Sequence, residues 1–183
     1  GPVTLSGYQR DSRGIALHQM RTFGKYAVVY LLNGSGRMKW GRNAPVPVRP
    51  GDLLFIYPEI PHGYAPGPHE FWSEFFIVFE GPVFDLWRQQ GLLQPRNPIR
   101  HLPQIRRWLP RLESVVAPGL PATAAGMLRR ICRLQQFLSD IAQEPEIESG
   151  GAAWLPDALH LLLDAPESAP EAIAQQLGLS YET

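Results

Sequence analysis

Residues 49–81 constrain the fold of this chain more than any other stretch. They contain two apolar runs typical of β-strands, at positions 53–56 and 71–79. Pro58 and Pro61 separate the two runs, and proline lacks the N–H that a central strand needs for its hydrogen bonds. The pattern therefore predicts two strands joined by a proline-rich connection.

The second run is apolar on both of its faces. Side chains alternate along a strand, so one face carries Trp72, Glu74, Phe76 and Val78, and the other carries Phe71, Ser73, Phe75, Ile77 and Phe79. A strand of this kind is expected to be covered on both sides. A carboxylate such as Glu74 then needs a partner, because a buried unpaired charge is costly. This is the first indication of a functional site.

Composition indicates a globular protein with no charge bias. The chain has 183 residues, 44% of them hydrophobic, with 17 Lys+Arg against 17 Asp+Glu, so no overall basic field would attract nucleic acid. A lone cysteine, Cys132, excludes an intrachain disulfide and fits a reducing compartment. We find no apolar run of membrane-spanning length and no signal peptide, which predicts a cytoplasmic protein that does not bind membranes. The Gly1-Pro2 start is typical of a tag-cleavage scar.

The first third of the chain is rich in strand and turn signals. Alternation at positions 15–20 and an apolar run at 26–32 predict strands, and residues 33–36 (NGSG) predict a hairpin to a return strand at 37–40. Pro45 and Pro47 alternate with valines, which suits an edge strand. Several short strands at this spacing predict an all-β sandwich or barrel.

Helical patterns follow residue 81. Positions 83–90 and 103–116 have helical spacing, and the clearest helix covers about 122–143. Its apolar stripe consists of Met127, Ile131, Leu134, Leu138 and Ile141. The stripe could pack on the protein's own barrel or form a coiled-coil seam with a second copy. In the second case Leu128, Cys132 and Phe137 could face the barrel.

The last 40 residues form a separate region. Residues 144–152 (EPEIESGGA) have the composition of a linker. Two further helical patterns follow in 153–183, divided by a turn at positions 164–168. The last eleven residues read IAQQLGLSYET. The alternative interpretation of this region is an ordinary helical hairpin.

Two groups of residues carry a family resemblance. One is Pro50-Gly51-Asp52, then P-x-x-P-H-x-Y at 58–64, then the strand at 72–79; the other is IAQQLGLSYET at 173–183. Both resemble AraC/XylS-type transcriptional regulators, in which a cupin-like effector-binding barrel precedes two helix-turn-helix motifs. The resemblance implies a mainly β fold with C-terminal helices (α+β), a double-stranded β-helix barrel in 1–81 and a helical segment with the dimerisation helix in 82–143.

The resemblance also implies that residues 153–183 are a partial first helix-turn-helix. Ala174 would be the small residue packed under the next helix, Gly178 would make the turn, and Ser180 would cap the recognition helix. Because the chain ends there, the recognition helix is expected to be missing, and DNA binding is expected only of the full-length protein. The implied partners are a small-molecule effector, either a carbohydrate or another carbon source, and a second copy forming a homodimer through the seam helix.

The resemblance also implies which residues bind the effector. They are His18, Tyr30, His62, Tyr64, Trp72, Glu74 and Phe76. Each has a packing alternative: the aromatic residues could be core, the Tyr30 hydroxyl could bond a backbone carbonyl, and His62 could hold the turn. Arg21 or Arg37 could pair with Glu74 as a purely structural ion pair. The arabinose-type pattern has an arginine before the G-x-G turn where this chain has Asn33, a departure that argues against arabinose itself.

No metal or other cofactor is expected. Metal-binding cupins use an H-x-H pair, whereas His62 is followed by Gly63-Tyr64. A site built from His18, His62 and Glu74 has no support from their spacing. We therefore predict a sensor that is not an enzyme. The alternatives are a metal-dependent cupin enzyme, such as an isomerase or dioxygenase, and a ligand-free scaffold.

Overall fold

The computed structural model describes residues 3–117, 119 and 123–144. Contacts divide the chain into two units, Gly1–Glu144 and Pro145–Thr183, and every described residue belongs to the first. The predicted helix-turn-helix and nearly all of the predicted linker therefore lie outside the described residues. In chain order the elements are β1 (Val3–Ser12), β2 (Tyr26–Asn33), β3 (Gly36–Trp40), β4 (Val46–Val48), β5 (Asp52–Ile56), β6 (His62–Pro66), β7 (Trp72–Phe79), α1 (Pro82–Gln89), β8 (Ile99–His101), α2 (Ile105–Ser114) and α3 (Ala124–Gln143).

The strands of the described region form two antiparallel sheets. The large sheet has the order β1-β7-β2-β5-β8, and the small sheet has the order β4-β3-β6. Most neighbouring strands are not consecutive in sequence, so the chain passes back and forth between the sheets. This is the arrangement of a cupin-like double-stranded β-helix. The predicted fold class, mainly β with C-terminal helices, is confirmed.

The segment between β1 and β2 closes one side of the barrel. β1 lies at the edge of the large sheet, next to β7. The chain then crosses to the small sheet, where Ile15 bridges Tyr64 and Arg21 bridges His62 on β6. The strand predicted at 15–20 is therefore two isolated bridges connected by a turn. Gly63 accommodates this segment, because a Cβ there would lie 3.0 Å from the Ala16 carbonyl oxygen.

Two apolar clusters cover the large sheet, one on each face. We call the first the barrel interior: it lies between the two sheets and contains Ala27, Val29, Leu31, Met38, Val48, Leu54, Ile56, Tyr64, Trp72 and Val78. We call the second the outer core: it joins the other face of the sheet, including Tyr26, Val28, Tyr30, Phe75, Ile77 and Phe79, to the helices through Phe84, Trp108, Leu112 and Phe137. The two-sided burial predicted for the strand at 72–79 follows from this layering.

The helix α3 packs on the outer core. It begins after Thr123, whose Oγ1 accepts a hydrogen bond from the Gly126 N–H at 3.2 Å. Three of the five stripe residues, Leu134, Leu138 and Ile141, are buried in the outer core, and Ile131 packs against it. Met127 remains 42% exposed.

Of the two alternatives for the stripe, packing on the protein's own domain is found for Ile131, Leu134, Leu138 and Ile141. Leu128, which could have faced the barrel in the coiled-coil alternative, is 60% exposed, and Cys132 is exposed as well. Phe137 alone of that second set is buried. Much of the stripe therefore stabilises the domain itself. The exposed apolar side chains of α3 lie in its first half.

Two further expectations are corrected by the sheet order. The turn at 33–36 does not make a hairpin, because β2 belongs to the large sheet and β3 to the small one. The barrel does not end at residue 81, since β8 at Ile99–His101 pairs with β5. The predicted edge strand at 46–48 is found at the edge of the small sheet, as β4. The structure also has a strand, β6, within the expected proline-rich connection.

Strand β8 connects the barrel to the end of α3. Its residue Ile99 packs against the barrel interior. The next residue, Arg100, donates from Nη2 to the Ile141 carbonyl oxygen at 3.1 Å and also to the Glu144 carbonyl. The last residue, His101, bonds Asp52 of β5 at 2.6 Å through Nδ1. A cation at a helix C-terminus is favourable, because the carbonyls there lack helical partners.

Candidate functional site

Strand β7 places a carboxylate inside the barrel. Trp72 and Glu74 are each 2% exposed, and Phe76 packs against the barrel interior. In the register with β1, Glu74 lies opposite Gln9 and Trp72 opposite Ser12. The predicted alternation of β7 thus brings three of the predicted site residues to one face, directed between the sheets.

An aromatic stack extends from the small sheet to the large one. The rings of His62 and Tyr64, both on β6, have centroids 6.2 Å apart and planes 11° from parallel. Tyr64 in turn stacks with Trp72 of β7 at 6.0 Å and 17°. Five predicted residues, His62, Tyr64, Trp72, Glu74 and Phe76, are therefore gathered in or beside the barrel interior. Flat aromatic faces with few polar groups are typical of small-molecule sites.

Glu74 has an unusual electrostatic environment. Burial raises the pKa of its carboxyl group from 4.5 to about 7, while the Trp72 indole acts in the opposite direction. Neither Trp72 Nε1 nor Glu74 Oε2 has a hydrogen-bond partner of normal geometry, although both atoms are buried. The structural ion pair considered for Glu74 is not found: Arg37 donates to the Pro45 carbonyl, and Arg21 lies over the Phe23 ring.

His62 is a neutral acceptor in this site. Its Nδ1 lies 3.0 Å from the Ile60 carbonyl oxygen, which can only accept, so Nδ1 carries the proton. Burial lowers the pKa of the imidazole, which favours the uncharged form. The hydrogen bond to Ile60 also holds the turn, which is the structural role considered for this residue. Nε2 remains as the ring's acceptor atom.

Two predicted residues do not join the site. Tyr30 is fully buried, but it lies in the outer core on the opposite face of the large sheet. Its hydroxyl donates to the Leu102 carbonyl oxygen at 2.6 Å, which is the packing alternative considered above. His18 is exposed in the turn that follows Ala16. Neither side chain shares the barrel interior with Glu74.

The site also contains a residue that the sequence did not single out. Trp40, on β3, packs against the barrel interior opposite His62, and its indole Nε1 is buried without a hydrogen-bond partner. Met38, two residues earlier, lies on the same face opposite Tyr64. The period-two alternation of residues 36–40 was the signal for both. That alternation identifies Trp40 and Met38 as site residues only once β3 is known to face β7 across the barrel.

The donor set of the described residues does not indicate a metal centre. No group of three or more His, Cys, Asp or Glu side chains among them could hold a metal ion. The second buried carboxylate, Asp52, has a hydrogen-bond partner at each oxygen. Oδ1 bonds His101 Nδ1, and Oδ2 accepts from the backbone N–H of Arg49 at 2.8 Å. None of the described helices is long and apolar enough to cross a membrane.

Comparison with known proteins identifies the family. Residues 5–144 match the model of the AraC-like ligand binding domain. No curated protein matches the sequence. Among solved structures, the AraC-like transcriptional activator CuxR is 15% identical, with a TM-score of 0.48 over 97% of this chain and 65% of that one.

Two cupin structures are also similar. A predicted oxalate decarboxylase from Thermotoga maritima is 19% identical, with a TM-score of 0.36 over 43% of this chain and 67% of that one. An RmlC-like cupin from Methanocaldococcus jannaschii is 11% identical, with a TM-score of 0.33 over 44% and 71%. Likenesses this distant support no functional inference. The family match covers the described barrel and helices, and this chain therefore belongs to the AraC-like ligand binding domain family.

Proposed function

We propose that residues 3–144 are the sensing domain of a cytoplasmic AraC-type transcriptional regulator and bind a small polar molecule in the barrel interior. The observation that carries this proposal is Glu74, a carboxylate 2% exposed whose Oε2 has no hydrogen-bond partner. An unsatisfied buried carboxyl oxygen destabilises the empty fold by about 1–3 kcal/mol. A ligand that satisfies this oxygen recovers that free energy on binding.

A carbohydrate fits the chemistry of this site. Sugar C–H faces pack on flat aromatic rings, and the Tyr64–Trp72 stack offers such rings beside Glu74. A sugar hydroxyl both donates and accepts, so it can donate to Glu74 Oε2 while accepting from the unpartnered indole N–H of Trp72 or Trp40. The effector class we propose is thus a neutral polyhydroxylated carbon source.

The proposal extends to DNA control through the region after residue 144. The sequence IAQQLGLSYET at 173–183 supports a helix-turn-helix motif in that region. Arg100 and Arg107 hold the C-terminal end of α3 by bonds to Glu144, close to where that region begins. An effector that changes the barrel would then shift the equilibrium between DNA-binding arrangements of the full-length regulator.

We further propose that the domain forms a homodimer through the first half of α3. Met127, Leu128 and Cys132 are exposed there, whereas Leu134, Phe137, Leu138 and Ile141 in the second half of the helix are buried. Leu128→Ser should lower the dimer fraction in sedimentation velocity. Leu92→Ser is the matched control, because Leu92 is 61% exposed and belongs to the loop after α1, not to α3. A wild-type monomer at high concentration would contradict this part of the proposal.

A thermal-shift screen tests the sensor proposal. Chelator-treated protein is heated with neutral mono- and disaccharides, aromatic acids or divalent metals, because a ligand of the native state raises the midpoint. We expect a rise with a sugar that is lost in Glu74→Gln and kept in Glu80→Gln, a half-exposed carboxylate at the end of the same strand. A rise with a metal alone would favour a metal-dependent enzyme instead.

A further inference from the structure

Some buried polar atoms of the barrel interior have no hydrogen-bond partner. Three buried atoms there have no hydrogen-bond partner: the indole Nε1 of Trp40, the indole Nε1 of Trp72 and Oε2 of Glu74. Two of them are donors that cannot ionise in the physiological range. Glu74 is different, because its oxygen can be either a charged acceptor or a neutral hydroxyl.

The elements packed around Glu74 supply no compensating positive charge. On the neighbouring strands its register partners are Gln9 of β1 and Leu31 of β2, neither of which is charged. From β6, Tyr64 faces the carboxylate; burial, and after it the charge of Glu74, raises the pKa of the phenol, which therefore stays neutral. His62, next to Tyr64, is held neutral by burial.

The cation that acts on the neighbours of this group is Arg21, which bridges His62 of β6. It lies exposed at the surface and acts on His62 and Tyr64, but it is not among the influences on Glu74. A carboxyl group in such surroundings keeps its proton up to a higher pH than an exposed one does. Burial accordingly raises the pKa of Glu74 to about 7.

We propose that effector binding is coupled to proton release: at mildly acidic pH Glu74 is a protonated acid in the ligand-free barrel, and the effector displaces that proton by donating a hydrogen bond to Oε2. The proton passes to solvent, the carboxylate remains, and a ligand O–H donates to it. No other bond changes. This inference rests on the proposed function, because it concerns the same site and the same ligand class.

The coupling gives a defined pH dependence. The binding-competent carboxylate is the minor form below the pKa, so the apparent affinity rises about tenfold per pH unit there and levels off above it. With the pKa of Glu74 at about 7, affinity should be about tenfold weaker near pH 6 than near pH 8. The opposite slope would mean that the neutral acid donates to the ligand.

The first arm of the test needs no ligand. The infrared carbonyl band of a protonated carboxylic acid is followed against pH in the whole chain, with Glu74→Gln subtracted to isolate this group. We expect a band that disappears with a midpoint near pH 7. Glu80→Gln, which removes a half-exposed carboxyl group at the end of the same strand, is subtracted as the control. A Glu74 midpoint near its usual 4.5 would overturn the proposal.

The second arm measures protons directly. L-arabinose, D-xylose, D-galactose and maltose are titrated calorimetrically in buffers of different ionisation enthalpy. A sugar that binds should release close to one proton near pH 6 and almost none above about pH 8. Binding without release, or with uptake, overturns the coupling and leaves the sensor proposal intact. If Glu74 is protonated but no sugar binds, the carbohydrate assignment fails, and the coupling fails with it.

Discussion

Replacement of Glu74 by glutamine should change how stability depends on pH. Glutamine keeps the shape of the protonated acid and cannot ionise. In the wild type, the pKa of Glu74 is about 7 in the folded state against about 4.5 as the ordinary value. The folded state therefore binds the proton more tightly than the unfolded state, and the stabilisation from this group is lost as pH rises from about 4.5 to about 7.

The magnitude follows from the two pKa values. Each unit of difference corresponds to about 1.4 kcal/mol, so the whole shift is worth about 3 kcal/mol, of which about 2.5 kcal/mol falls between about pH 5 and pH 8. No reduction for solvent screening is needed, since Glu74 is only 2% exposed. The variant should thus gain about 2.5 kcal/mol on the wild type over that interval.

Urea denaturation at several pH values measures this difference. Other titrating groups act equally on both proteins, so their contributions cancel when the unfolding free energies are subtracted. Glu80→Gln, which removes a half-exposed carboxyl group at the end of the same strand, provides the control for the loss of a carboxyl group as such. A pH-independent difference between Glu74→Gln and the wild type would refute the reasoning, because it would mean that Glu74 titrates normally in the folded state.

Three further substitutions test separate parts of the structure. Tyr30→Phe should destabilise the domain by about 1–3 kcal/mol without altering sugar binding, since it leaves the Leu102 carbonyl unsatisfied in the outer core; a loss of binding instead would place Tyr30 in the site. Gly36→Ala should destabilise the domain more than an ordinary surface substitution does, because the new Cβ would collide with the Ala65 carbonyl oxygen of β6. An unchanged thermal midpoint would contradict that packing. Arg100→Gln should speed hydrogen exchange in the last turn of α3 and leave β2 unaffected; unchanged exchange in that turn would show that the contacts with Ile141 and Glu144 do not hold it.

Much of the site could be predicted from one strand. The alternation at 72–79 determined which residues share a face with Glu74, and it holds because a strand has a fixed period of two. The same argument could not place Tyr30. Its strand, β2, is apolar on both faces, so nothing local distinguishes the face toward the barrel interior from the face toward the helices.

Connections between elements were harder to predict than the elements themselves. The glycines at positions 34 and 36 indicate that the chain turns, and Gly34 does adopt a φ of 78°. Turn chemistry does not determine which strand the chain pairs with next, and here β3 pairs across with β4 and β6. The strand β6 was missed because HGYAP contains no β-branched residue.

The stripe on α3 shows a third kind of limit. A helical spacing of apolar residues predicts that one face is covered but not by what. Here Leu134, Leu138 and Ile141 are covered by the protein's own outer core. The helix was predicted to within two residues and four of the five stripe residues pack on the core, whereas Met127 is exposed. The covering surface depends on packing between distant parts of the chain.

The tryptophan indoles allow the most direct test of ligand binding in the barrel interior. In a nitrogen–proton correlation spectrum, the unpartnered indole N–H groups of Trp40 and Trp72 should move when the effector sugar is added. Those of Trp87 and Trp108, which belong to the outer core, should stay in place. Trp→Phe variants assign these four signals and separate them from that of Trp154, the fifth tryptophan of the chain, which lies outside the described residues. A sugar that stabilises the protein while moving only Trp87 or Trp108, or none of the four, would contradict a binding site beside Glu74.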